Sequence, residues 1–171
     1  MARGDVIVSN DVDFSVPLHQ LLYALAALEQ RPGIDILIGE RVRMCLRGAS
    51  RRIFSRAFRR ATVEFVGLPR EWDTQCGFKV FRREAANQVF AKQSVNGFAF
   101  DVEVLLNGLK FGYRTASQKM PWLNDERSTV RPFSVMGRVA ADLTRLRLMI
   151  GPPGGGQLHR CVVDGATRGR A

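Results

Sequence analysis

The chain has 171 residues, 46% hydrophobic and 25% charged, with 26 Lys+Arg against 16 Asp+Glu and a formal net charge of +10. That length allows one domain with a real core, and the basic excess favours phosphate-bearing partners: nucleic acid, anionic lipid headgroups or sugar nucleotides. Cys45, Cys76 and Cys161 form no CxxC pair and His19 and His159 stand alone, which argues against a disulfide framework, a zinc site or a His cage and suits a reducing compartment.

From the N-terminus, Val6-Ile7-Val8 is a short β-branched run after Gly4-Asp5 and reads as a buried strand. It leads into the polar cluster Ser9-Asn10-Asp11-Val12-Asp13. Pro17 suits the first turn of a helix, and Leu18, Leu21, Leu22, Leu25 and Leu28 keep helical spacing until Arg31-Pro32-Gly33. Ile34-Asp35-Ile36-Leu37-Ile38 is a second strand, closed by Gly39. Strand, helix and strand predict a βαβ unit in a parallel sheet.

Residues 50–68 predict a second helix, with Ile53, Phe54, Ala57, Phe58, Ala61 and Phe65 three or four apart and Pro69 ending it. A strand is expected over 77–81, a helix over 83–90, a helix over 100–109 and a strand over 113–120, stopped by Pro121. The last helix, 135–150, places Val139, Leu143, Leu146 and Ile150 on one face. From Gly151 the run Pro-Pro-Gly-Gly-Gly opens a stretch read as disordered, so the expected organisation is one domain over 1–150 and a tail over 151–171. No apolar run approaches the ~20 residues that span a bilayer, and there is no signal-peptide pattern. A soluble or peripheral chain is expected.

Asp11-Val12-Asp13 stands where a parallel strand ends, and open α/β sheets bind ligands outside the carboxyl ends of their strands. Two carboxylates one residue apart can share Mg²⁺ or Mn²⁺ and so neutralise a diphosphate. The same residues also read as a polar turn with Asp13 or Ser15 as a cap. Spacing alone leaves both readings open.

Three blocks of sequence add a resemblance. Residues 4–17, from Gly4-Asp5 through Asp11-Val12-Asp13 to Pro17, resemble a stretch reading roughly GD, apolar strand, DADLSTP. Asp73-Thr74-Gln75-Cys76-Gly77-Phe78-Lys79-Val80-Phe81 is similar to a DTQCGFK-x-F block, and Phe98-Ala99-Phe100-Asp101-Val102-Glu103-Val104-Leu105 to a WAFDVELL block. In this order they resemble family 2, GT-A-type glycosyltransferases that load a sugar onto a polyprenyl (dolichol-type) phosphate, the dolichyl-phosphate glucose and mannose synthases among them. The resemblance covers residues 2 to about 147.

It implies an α/β, Rossmann-like GT-A fold: a mostly parallel sheet flanked by helices. The opening motifs VVIPAYNE and VDDGS of such proteins do not occur, so the N-terminal nucleotide-binding half is expected to be missing and this fragment to have little activity alone. The implied reaction is inverting, metal-assisted transfer of a hexose from a UDP- or GDP-sugar to polyprenyl phosphate.

By the same resemblance Asp11 and Asp13 hold the Mg²⁺ or Mn²⁺, and Arg41, Arg51, Ser55 and Arg127 bind the acceptor phosphate. Asp73 contacts the sugar or acts as a base and Gln75 shapes the sugar pocket. Asp101 and Glu103 belong to the sugar side, although two residues apart on a helix they cannot share a face. Val12 replaces the usual Ala, Glu40 a common Ser, and Thr129 a usual Lys or Arg. Cys76 and Phe78 are assigned to packing.

Between residues 41 and 60 lie eight arginines and no acidic residue, interleaved with Ile53, Phe54 and Phe58. A basic amphipathic helix with aromatics suits a bilayer interface, so a cytoplasmic location, peripheral at the inner membrane face, is expected. The competing readings are a basic nucleic-acid-binding module and a non-catalytic remnant or accessory subunit. Against the former, no zinc, RRM-like or KH-like pattern occurs, and no nucleic-acid partner is expected.

Overall fold

In a strand, successive side chains leave on opposite faces, and this chain uses that alternation to bury both faces of one sheet. The computed structural model describes residues 3–43, 59–60, 62–70, 72–97, 99–123, 132–150 and 162–163. Within them β1 (Val6–Ser9), β2 (Ile36–Arg43), β3 (Lys79–Arg82), β4 (Thr115–Trp122) and β5 (Val162–Val163) form a five-stranded sheet in the order β1-β3-β2-β4-β5. The helices are α1 (Gln20–Gln30), α2 (Arg83–Ala91), α3 (Phe100–Lys110) and α4 (Pro132–Ile150), with a further helical stretch at 62–66.

β3 runs antiparallel to both β1 and β2, whereas β2 pairs in parallel with β4, and β4 with β5. The expected βαβ unit is therefore present in direction but not in contact: β1 and β2 point the same way with β3 inserted between them. Ile36, Ile38 and Phe81 face a core shared with buried residues of α2, α3 and α4. Leu37, Val80, Ala116 and Met120 face the other core, with Ala24 and Leu28 of α1. Burying apolar surface at roughly 25 cal/mol per Å² on both faces is what holds the strand order.

Several boundaries differ from expectation. β2 does not close at Gly39 but runs on to Arg43, because all eight of its residues pair with β4. Gly39 is needed for another reason: a Cβ there would sit 3.0 Å from Cys76 Sγ and 3.1 Å from the Phe78 carbonyl oxygen. β4 likewise continues through Pro121, which pairs with Val42. β5 reaches only Thr115 and Ala116, so Pro121 lies where β4 has no outer strand among the described residues, and its missing N–H is tolerated there.

α1 begins at Gln20, after turns in which Gln20 and Leu21 donate to the Pro17 and Leu18 carbonyls. Its buried line is Gln20, Ala24 and Leu28, one turn apart, so Leu18 and Leu22 of the expected apolar stripe are exposed. Arg82 closes its far end by donating to the Ile34 and Leu28 carbonyls at 2.8 and 3.0 Å. Most of the expected 50–68 helix lies outside the described residues. So does most of the tail expected as disordered, of which Val162–Val163 pair with β4.

Candidate active site

The strands β1, β2 and β4 point the same way, so their carboxyl ends lie at one end of the sheet. β1 delivers the segment Asn10–Val16, which turns sharply: Phe14 N–H donates to the Asp11 carbonyl at 3.0 Å, and Phe14 adopts a positive φ of 49°. A bulky residue in that region is uncommon and signals a backbone held by its surroundings. Asp13 Oδ1 accepts from Ser15 N–H at 2.9 Å, leaving its second carboxylate oxygen without a described partner. The turn is pinned to the end of β4 by Leu123 N–H donating to the Ser15 carbonyl at 2.7 Å.

Opposite this turn lies the loop 73–78 that enters β3. Ser9 pairs with Lys79 in the antiparallel ladder, and continuing that register sets Asp11 against Gly77. A Cβ at Gly77 would collide with the Asp11 carboxylate, so only glycine leaves room for it. Lys79 is 1% exposed, and its ammonium donates to Asp101 Oδ1 and to the Cys76 carbonyl, each at 2.5 Å. Lys79 thereby ties the first turn of α3 to β3, with Asp101 close enough for its charge to bear on Asp11.

The charges around Asp11 do not cancel. Partial desolvation first, then Asp101 and Asp13, push its carboxyl above the ordinary range, against the pull of Lys79 and Arg41. Such a group gains from a nearby cation.

On the β2 side, Arg41 makes a bidentate pair with Asp73: Nε to Oδ2 at 2.7 Å and NH2 to Oδ1 at 2.8 Å, with the Arg41 backbone N–H also donating at 3.3 Å. Its guanidinium carbon lies 5.5 Å from the centre of the Trp122 ring, a cation–π distance. Burial alone would raise the Asp73 carboxyl, but the hydrogen-bonded Arg41 overrides it and holds it below the usual range. Burial likewise works against the Arg41 charge, and Asp73 reverses that, holding the guanidinium pKa above its ordinary value. Burial pushes the Cys76 thiol up to about 11, so it is an inert packing group.

The structure therefore brings together Asp11, Asp13, Asp73, Asp101 and Arg41, with Gln75 half-buried in the same loop. Glu103, expected on the sugar side, turns away. It is 3% exposed and its two oxygens accept from the backbone N–H groups of Ser94 and Val95 and from the Ser94 hydroxyl, at 2.6–2.9 Å. The residue expected to touch sugar instead ties α3 to the turn after α2. Arg51, Ser55 and Arg127 lie outside the described residues.

Lys79 is the residue that sequence reasoning missed. Its signal was a single cation between Phe78 and Val80 in an apolar strand, which burial forces to find a carboxylate.

No three His, Cys, Asp or Glu side chains converge as metal ligands among the described residues. A divalent cation held by Asp11 and Asp13 would take two carboxylates from the protein and its other ligands from a diphosphate and water. Mg²⁺ is commonly held that way, so the donor set fits. Two buried oxygens without a partner, Asn10 Oδ1 and Thr74 Oγ1, belong to the segments that frame the site.

No protein-family model matches the chain. Among curated proteins it is 29% identical over 155 residues to the dolichyl-phosphate β-glucosyltransferase of Mus musculus, covering 86% of this chain and 48% of that one. The enzyme of the same name from Dictyostelium discoideum is 39% identical over 75 residues, 44% of this chain and 23% of the relative. That from Homo sapiens is 41% identical over 76 residues, 44% and 24%. The chain thus spans no more than about half the length of these relatives.

Among solved structures, mannosyl-3-phosphoglycerate synthase from Rubrobacter xylanophilus superposes with a TM-score of 0.62 at 17% identity, covering 90% of this chain and 51% of that one. Glucosyl-3-phosphoglycerate synthase from Mycobacterium tuberculosis, in complex with Mn²⁺, UDP-glucose and phosphoglyceric acid, gives 0.58 at 16% identity, 90% and 52%. The chain is similar to dolichyl-phosphate β-glucosyltransferases over most of its own length, and its mixed sheet and flanking helices are those of the GT-A glycosyltransferase fold.

Proposed function

We propose that this chain carries the diphosphate-facing and acceptor-facing parts of a hexosyltransferase that moves glucose from UDP-glucose to a polyprenyl phosphate with inversion. The observation that carries this reading is the buried Lys79–Asp101 ion pair, whose charges bear on Asp11 at the carboxyl end of β1, in a chain similar to dolichyl-phosphate glucosyltransferases. The donor is argued from the UDP-glucose and Mn²⁺ in the glucosyl-3-phosphoglycerate synthase complex.

Asp11 and Asp13 would hold a divalent cation, Mg²⁺ or Mn²⁺, whose chemistry is to neutralise the diphosphate as it leaves. Asp101, held by Lys79, would accept from a sugar hydroxyl. Arg41 has three guanidinium N–H donors beyond the two used on Asp73, and these would meet an anionic acceptor. Asp73 stays ionised and fixes that guanidinium. A phosphate nucleophile is already ionised near neutral pH, so these residues work by placing and by charge rather than by proton removal.

The acceptor is a membrane lipid, and no helix among the described residues is long and apolar enough to cross a membrane. The reading therefore sets the chain against the inner membrane face, with the arginine-rich segment 41–60 towards anionic headgroups. The test is transfer of radiolabelled glucose from UDP-glucose to polyprenyl phosphate in vesicles with Mn²⁺, by the chain alone and joined to the upstream half of a relative. Transfer that vanishes in Asp11→Ala/Asp13→Ala supports the proposal. Undiminished transfer in that variant rules out these two aspartates as the cation's ligands.

A further inference from the structure

Resting on the reading that Asp11 and Asp13 hold a divalent cation, we propose that Lys79 is the acidic cluster's built-in counter-ion, a positioning residue that withholds Asp101 from the cation and keeps metal affinity low.

Lys79 lies on β3, between the apolar Phe78 and Val80, and is almost wholly buried. Taking an ammonium out of water costs several kcal/mol unless it is paired and hydrogen-bonded. Here it meets Asp101 Oδ1 and the Cys76 carbonyl, both at 2.5 Å. The Asp101 side chain is 23% exposed, so Lys79 engages it without burying it.

The carboxylates that bear on Asp11 are Asp13 and Asp101, giving three negative charges, and Lys79 removes one. Arg41 is matched by Asp73 and leaves the sum unchanged. Two negative charges remain, the charge of one divalent cation. Affinity for hard cations rises with the number of charged ligands, so a third free carboxylate would hold the cation without any diphosphate. With Asp101 engaged by Lys79, the protein offers two carboxylates, and the cation binds well only together with a diphosphate. A cation so held would be free to leave with the product.

The probe is Mn²⁺ alone, titrated into the purified chain and followed by the electron paramagnetic resonance of free Mn²⁺, with circular dichroism as a check of folding. Lys79→Gln is expected to bind Mn²⁺ about tenfold more tightly and Asp101→Asn about tenfold more weakly, the scale Coulomb's law gives for one charge several ångström from a divalent ion in a screened site. Lys79→Arg restores the cation and should stay close to wild type. The pair Lys79→Gln/Asp101→Asn keeps the wild-type charge sum in neutral form and should return to the wild-type affinity.

Lys79→Gln binding no more tightly than wild type overturns the proposal. If that variant does not fold, Asp101→Asn and the double variant decide, and equal affinities for wild type and Asp101→Asn overturn it. Asp11→Asn/Asp13→Asn separates this inference from the reading beneath it. Binding lost there with Lys79→Gln unchanged defeats the role of Lys79 alone; binding kept there defeats the cation site and the role of Lys79 with it.

Discussion

On α3, Asp101 faces the loop that enters β3 while Glu103 faces the turn after α2, and the two surroundings treat a carboxylate in opposite ways. Around Glu103 three donor groups, the N–H of Ser94 and Val95 and the Ser94 hydroxyl, fill both oxygens, and nothing is left over for a ligand. Around Asp101 one ammonium answers a carboxylate that also bears on Asp11, and Asp11 is pushed towards protonation. A satisfied buried charge holds a fold together. An unbalanced cluster leaves charge that a cation would offset.

Each side of this contrast can be broken separately. The largest effect is expected at Glu103. Glu103→Ala strands two backbone donors and a hydroxyl in a buried turn and should cost about 3 kcal/mol of stability, read as a lowered denaturation midpoint. Mn²⁺ binding by the folded fraction should not change. A large loss of binding without a loss of stability would make Glu103 part of the site after all.

The second effect belongs to Arg41. Replacing it by Met leaves Asp73, 6% exposed at its side chain, buried without its partner. A loss of about 2–3 kcal/mol near neutral pH is expected, below the full range for buried pairs because Arg41 keeps some exposure. Its pH dependence gives a sharper check. In the wild type the Asp73 carboxyl is depressed, so its contribution is present above the unfolded value near 3.9 and is lost as pH falls through the lower folded value. In Arg41→Met burial, the largest influence, is opposed only by the residue 41 backbone N–H and the Arg59 charge, and the carboxyl is expected to rise. The variant should then be least stable near neutrality and regain stability on acidification, the opposite sign. Parallel curves for the two proteins would show that Arg41 does not control Asp73.

The smallest effect on stability is expected at Asp11. Its carboxyl is raised in the folded chain, so its charge opposes folding, and that opposition is relieved as pH falls through the folded value. Asp11→Asn should therefore be neutral or slightly stabilising near pH 7, by about 0.5 kcal/mol, while Mn²⁺ binding is lost. Destabilisation by more than that would place Asp11 with Glu103, among the groups that hold the fold.

Much of this arrangement is legible in the sequence because local pattern and tertiary need agree there. β-branched runs mark β1 and β2, the apolar spacing of 135–150 marks α4, and the residue blocks around Asp11, Asp73 and Asp101 mark segments that the fold brings near one another. What escapes is long-range. Nothing local in Lys79-Val80-Phe81-Arg82 says that the strand inserts antiparallel between β1 and β2, since that order is chosen by which faces the sheet buries. The persistence of β2 past Gly39 and of β4 through Pro121 comes from their mutual ladder, which a window of residues does not contain. Glu103 escaped for a related reason. Two residues apart on a helix, it and Asp101 must diverge, but only the position of the Ser94 turn decides which of them is spent on structure.

The grip of Asp11 and Asp13 on a diphosphate through a cation is tested most directly by titrating UDP into the chain with and without Mn²⁺, following paramagnetic broadening of the phosphorus resonances against a protein-free control. Broadening beyond the control that requires both Mn²⁺ and protein, and that disappears in Asp11→Ala/Asp13→Ala, is the expected result. The same broadening in wild type and variant would contradict a cation held by these aspartates.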